Sequence, residues 1–261
     1  MRHIRIVGLC LTMALLLGAV VSVGARASTE FVSCVKTEKV GKFFKGHYDN
    51  GTCTEKASEE EVNKGGNRNK YELDVGAKWS AKNARRTEMK LDLGGGEVVC
   101  LKSAGSGTWL SSTRVSATFR FGKCEGSEFE SLCTSPGDKA GEIETKPLLG
   151  VLGENASREV FVLFTGEEVG SIEPAPAETF AEFECGGIAS FTLHGTLSGR
   201  WTEAVNTSTK TGGIVFAPDV GEQDLVAVFP NAMSGEAEEG PATLESEQSL
   251  KFKYKYELRH S

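Results

Sequence analysis

Two carboxylates stand two residues apart in "TFAEFEC", at Glu182 and Glu184. On a β-strand both side chains point to the face opposite Ala181, Phe183 and Cys185, with Cβ atoms roughly 7 Å apart, two strand rises. Glycosidases on β-sandwich folds use acids about 5 to 10 Å apart, one as proton donor and one as nucleophile or base. The same pair also describes the wet face of an amphipathic strand. With 36 Asp+Glu in the chain, that plainer reading is preferred. A second set is aromatic: Trp79, Trp109 and Trp201. "GTWLSS" and "SGRWTEA" set two of them in or beside turns, where an exposed ring can hold a sugar face. Closing the ends of a core is the competing use, and the preferred one for each.

Other chemistries find less support. "HGTLSG" brings His194 and Ser198 within four residues, but the G-x-S-x-G elbow of a serine hydrolase has a different spacing. "LGGGEVVC" leads into a strand rather than a helix, so it reads as a hairpin turn and not a phosphate cradle. His47, His194 and His260 are scattered, no cysteine pair has C-x-x-C spacing, and no EF-hand calcium loop is present, so no metal and no cofactor is expected.

The address is more legible than the activity. Arg2, His3 and Arg5 precede the apolar "IVGLCLTMALLLGAVVSVG", and Ala25-Arg26-Ala27 supplies small residues at the two positions that a signal peptidase reads. Residues 1–27 are therefore expected to be a cleaved secretory signal, with no membrane-spanning segment in the remainder. The rest carries 26 Lys+Arg against 36 Asp+Glu, a formal net charge of −10. That excess of acid argues against nonspecific nucleic-acid binding and lends nothing to an anionic-membrane binder.

Six cysteines remain: Cys34, Cys53, Cys100, Cys124, Cys133 and Cys185. An even number in an exported chain points to disulfides, with 15 possible connectivities. Cys34–Cys53 joins two short strands. Cys124–Cys133 is expected to staple the short loop "EGSEFESL", and Cys100–Cys185 follows by elimination.

The elements that must position these residues are strands. "TRVSATFRF", "EMKLDL" and "LKFKYKYEL" alternate apolar and polar residues with period two, the habit of antiparallel sheets with one wet face. "REVFVLFT" is apolar on both faces and suits a central strand. A small Cys-stapled β-hairpin unit is expected over 28–56, a polar linker with at most one short helix over 57–70, and a main β-sandwich or barrel-like domain over 71–261. Residues 206–247 are polar and turn-rich and are expected to form long loops. The cysteines and uneven strand lengths are untypical of an outer-membrane barrel.

Three motifs carry a resemblance: "CVKTEKVGKFFKGHYDNGTCT", "FGKCEGSEFESLCTSPGDKAGEIETKPLLGVLG" and "FAEFECGG". They resemble an uncharacterised family of secreted β-rich proteins of actinobacteria, over most of the chain after the signal. The resemblance implies an extracellular or cell-envelope address and an all-β fold, and it brings no activity and no catalytic residues. The sequence thus leads to a secreted, non-catalytic binding or structural module, with an extracellular glycan or envelope component as partner. The alternative is a secreted carboxylate-based hydrolase using Glu182 and Glu184.

Overall fold

The computed structural model describes residues 29–260 except 59–61, 63–69, 75, 85–86, 95, 129, 167–177, 222 and 231–235. The expected signal segment and most of the expected linker lie outside these residues. Every element named among the described residues is a strand: β1 (Thr29–Lys36), β2 (Lys39–Val40), β3 (Phe43–Phe44), β4 (Tyr71–Leu73), β5 (Lys78–Asn83) and β6 (Met89–Asp92) come first. They are followed by β7 (Glu97–Trp109), β8 (Arg114–Gly126), β9 (Ser131–Thr134), β10 (Glu142–Glu144), β11 (Leu148–Glu154) and β12 (Val160–Gly166). The last six are β13 (Thr179–Cys185), β14 (Ala189–His194), β15 (Thr196–Trp201), β16 (Thr209–Phe216), β17 (Leu225–Pro230) and β18 (Ala237–His260). The chain is all-β and its pairings are antiparallel, as the period-two alternation requires.

The ladder closes twice. One circuit runs β5–β7–β8–β11–β12–β15–β16–β18 and returns from β18 to β5. A second runs β6–β7–β8–β9–β13–β14–β17–β18 and returns from β18 to β6. Each is an eight-stranded barrel, and β7, β8 and β18 are staves of both. On β18 the even-numbered residues from Ala242 to Phe252 are buried throughout, so its inner face continues from one barrel into the other. On β7 and β8 the inward parity shifts, from Cys100 to Ser103 and from Phe121 to Cys124. Lys123, opposite Leu101, absorbs that shift with a φ of 56°.

Eight staves enclose an interior just wide enough to be filled by side chains, and both barrels are filled. In the first, Phe31 stacks on Trp109 with ring centroids 4.0 Å apart, and Phe252 meets Tyr256 at 4.1 Å. Phe119 presses edge-on against Phe164 and Phe216. Glycines make room for these rings: a Cβ on Gly150 would lie 2.7 Å from both Val115 and Val162. The second barrel is packed by Met89, Leu91, Val98, Leu193, Ala227 and the Phe183–Phe191 stack. At the junction Gln248 is buried and donates to Ser103 Oγ and Ser246 Oγ, both at 2.6 Å.

The cysteines pair differently from expectation. Cys34–Cys53 is formed, but Cys100 bridges Cys124 and Cys133 bridges Cys185. Neither Cys124–Cys133 nor Cys100–Cys185 is present. Cys100 and Cys124 face each other on β7 and β8, and Cys133 faces Cys185 across β9 and β13, each pair with Cα atoms 4.0 Å apart. The β8–β9 register, Glu125 to Leu132, also brings Cys124 towards Cys133. At Cys124, however, the backbone N–H donates to Gly141 O at 2.9 Å, so that edge of β8 is already taken. The bridges therefore stitch four adjacent staves instead of closing one loop.

Two further expectations change. Thr29–Ser33 pair with Tyr256–His260, and Phe31 enters the main core, so β1 belongs to the large sheet instead of a separate unit. Within 206–247 the chain forms β16, β17 and the start of β18. Gly212 and Gly213 are spacers in β16: a Cβ on Gly212 would lie 2.5 Å from the Tyr256 hydroxyl. Of the expected helix, Val62 N–H donates to Ser58 O at 3.0 Å, and the surrounding stretch is largely outside the described residues.

Peptide mapping without reduction is expected to recover Cys34–Cys53, Cys100–Cys124 and Cys133–Cys185. The latter two close 24 and 52 residues, and removing either is expected to cost about 3–4 kcal/mol in chemical unfolding by the loop-entropy relation. Recovery of a Cys124–Cys133 peptide would contradict the stave-to-stave pairing.

Candidate functional site

All three tryptophans point into the first barrel. Trp109 is 1 % exposed, Trp79 8 % and Trp201 7 %. Trp109 lies under Phe31 and meets Trp201 edge-on at 6.4 Å, while Trp79 packs on Phe119 at 6.0 Å. The space left between them is about 10 Å³, the size of one water at most. All three are buried in the core, as the preferred reading had them, and none is the exposed sugar platform weighed against it. The indoles sit near turns in sequence, but Phe31 arrives from the far N-terminal end of the described chain to cover one of them.

Glu182 and Glu184 lie on the outer face of β13, opposite Ala181, Phe183 and Cys185, as the alternation implied. Glu182 Oε2 lies 2.8 Å from Lys146 Nζ, and its own backbone carbonyl accepts from Ser135 Oγ at 2.5 Å. This is a convex barrel wall, and neither acid lines the two surface hollows described below. His194 and Ser198 part company, His194 on β14 of the second barrel and Ser198 on β15 of the first. His47 contacts Glu72, and His260 Nδ1 lies 2.8 Å from Glu154 Oε2. Among the described residues no group of three or more His, Cys, Asp or Glu is placed to hold a metal ion.

The most featured polar site is a mouth of the first barrel, a hollow of about 330 Å³ lined by Arg158, Glu159, Arg200, Trp201 and Glu203 among others. The strand alternation of β15 and its continuation puts Trp201 inward and Arg200 outward. Arg158 sits in the β11–β12 turn with φ 62°, held by a bond from its N–H to Asn155 O at 3.0 Å. Glu159 accepts from Asn155 Nδ2 at 2.8 Å and Arg200 Nη1 at 3.1 Å. The Asn155 amide first, then the guanidinium, hold its carboxyl below the usual carboxylate range. Glu203 Oε2 accepts from Gly213 N–H at 2.6 Å and from the Thr202 hydroxyl at 3.2 Å.

Beneath these groups Tyr256 donates its hydroxyl to Thr211 O at 3.1 Å. Burial pushes its ionisation above the usual tyrosine range, the Glu203 carboxylate adds to this, and the Trp201 side chain pulls the other way. Both acids of the mouth are thus occupied in bracing loops and strand ends. The sequence signal for this cluster lies in "SGRWTEA", where Arg200 and Glu203 flank the tryptophan.

A second hollow, about 550 Å³, lies on the outer wall of β5, β7 and β8. Ser106, Thr108, Ser116 and Thr118 line it with hydroxyls, flanked by Lys78 and Leu110. These residues alternate with the inward-facing Gly105, Gly107, Val115 and Ala117, and Ser106 pairs with Thr118 and Thr108 with Ser116 across the ladder. No family model, curated protein or solved structure matches the chain.

The Tyr256 environment has a pH signature. A folded-state pKa raised above the unfolded value of about 10 means that stability is complete below pH 10 and falls as the pH climbs above it. In an absorbance titration Tyr256 is expected to ionise only with unfolding, above the usual tyrosine range, and Tyr256→Phe is expected to abolish that step. Ionisation of Tyr256 in the folded protein would contradict this burial.

Proposed function

We propose that the chain is an exported, non-catalytic module of the cell exterior or envelope, acting through its outer walls. The observation that carries this reading is the filled interior: about 10 Å³ remains among the tryptophans, the size of one water at most, so a ligand is left only the surface hollows of about 330 and 550 Å³. Three disulfides are compatible with an extracellular address, and the resemblance to secreted β-rich actinobacterial proteins points the same way. The partner is an extracellular glycan or envelope polymer. The hydroxyl-lined hollow on β7 and β8 offers donors and acceptors on a flat wall, the complement of a polyol.

The carboxylate-hydrolase reading is left with Glu182 on a convex wall and paired with Lys146. General acid–base work asks for two acids flanking a substrate. Here the wall offers no flank.

Binding of the exported protein to insoluble envelope polysaccharides separates the two readings. The wild type is expected to bind and to release no sugar, and Thr108→Val with Thr118→Val is expected to weaken binding on the order of 10-fold, by losing hydrogen bonds of about 1 kcal/mol each, without altering unfolding. Release of reducing sugar that disappears in Glu182→Gln would instead establish the hydrolase.

A further inference from the structure

The chain is acidic overall, yet one hairpin is basic. β2 and β3 form a two-residue-turn hairpin over Lys39–Phe44, with Val40 paired to Phe43 and Gly41 at φ 68° at the turn. Between Lys36 and Lys45 there are four lysines, Lys36, Lys39, Lys42 and Lys45, and one acid, Glu38. Lys70 joins them from the neighbouring segment. The ammonium groups of Lys39, Lys36 and Lys70 lie 5.2, 5.5 and 5.9 Å from the centre of the Phe44 ring. Three like charges gather there because the ring face attracts each of them, and their stems bury Phe44 apart from the barrel core.

Ahead of this basic collar, the tip carries apolar side chains into solvent. Val40 is 58 % exposed and Phe43 45 %. The hairpin is moored firmly behind: Thr37 N–H donates to Lys70 O at 2.8 Å, Tyr48 and Tyr71 exchange backbone bonds at 3.0 Å, and Cys34–Cys53 closes the base. An exposed apolar pair on one face of a moored hairpin, with lysines at its turn and gathered over Phe44 on the other face, has the physics of an interfacial membrane anchor. The apolar groups enter the headgroup–acyl boundary, while the lysine stems reach back to anionic headgroups. A polyanion in water would use the lysines and leave Val40 and Phe43 without a purpose.

We propose that the β2–β3 hairpin docks the protein on an anionic phospholipid surface through Val40 and Phe43, with Lys36, Lys39, Lys42, Lys45 and Lys70 holding the headgroups. This contact is separate from the walls of the barrels, so it stands or falls independently of the glycan reading.

Flotation with vesicles tests it, using soluble, disulfide-bonded protein recovered from the medium of an exporting host. The wild type is expected to float with vesicles of equal parts phosphatidylcholine and phosphatidylglycerol, to stay behind with phosphatidylcholine alone, and to be released by concentrated salt. Lys39→Glu with Lys42→Glu is expected to reduce partitioning on the order of 100-fold. Val40→Ser with Phe43→Ser is expected to reduce it by a similar order, at unchanged thermal unfolding. Equal flotation with both vesicle types overturns the proposal. So does full binding by the Val40→Ser, Phe43→Ser protein, or retention on soluble polyphosphate with no vesicle binding, either of which would assign the lysines to a polyanion.

Discussion

Three shared staves govern this structure. β7, β8 and β18 each run through both barrels; β7 and β8 are paired on both backbone edges along most of their length, and β18 is paired on both edges over Gln248–Lys251. An antiparallel sheet left open exposes unpaired edges to other chains, and here the β18–β5 and β18–β6 pairings remove the edges of both circuits at once. The constraint is severe. A slip of one residue in β18 would turn Leu244, Gln248, Leu250 and Phe252 outward together.

From closure follow the filled interior and the position of everything polar. Aromatic rings occupy the first barrel only because Gly105, Gly107, Gly150 and Gly199 leave the space beneath them. In the second barrel the Cys100–Cys124 and Cys133–Cys185 bridges lie in a row across β7, β8, β9 and β13, all four residues without exposure. At the junction Gln248 and two serines form a polar layer between the two apolar cores. With the inside committed to packing, the charged and hydroxyl groups available to a partner lie on the walls, at the mouth and on the basic hairpin.

Local alternation made much of the fold legible. Met89, Leu91 and Leu93, and Val115 to Phe121, are buried on the face that their spacing indicated. Tyr254 breaks the pattern of its strand, exposed beside Lys253, because β18 there passes from its β5 partner to β1. What the sequence hid were relations between distant segments. The cover that Phe31 gives Trp109, the choice of Cys100 as partner for Cys124, and the return of β18 to β16 all depend on registers set far away in the chain. Composition misled over 206–247, where Gly212 and Gly213 serve close packing in a strand and not a turn. For the candidate site, the carboxylate pair was placed on the correct strand face but on a wall without a cleft. The lysines of the hairpin were masked by the net acidity of the whole.

The central claim is that the shared staves make both barrels one cooperative body. Residue-resolved amide hydrogen exchange along β18 tests it most directly, since subglobal openings reveal separable units. The expected result is one opening free energy, equal to that of global unfolding, for amides from Thr243 to Phe252, through both barrels and the Gln248 junction. Distinctly faster exchange at Thr243–Glu245 than at Gln248–Phe252, in a stepwise pattern that divides the two circuits, would contradict it.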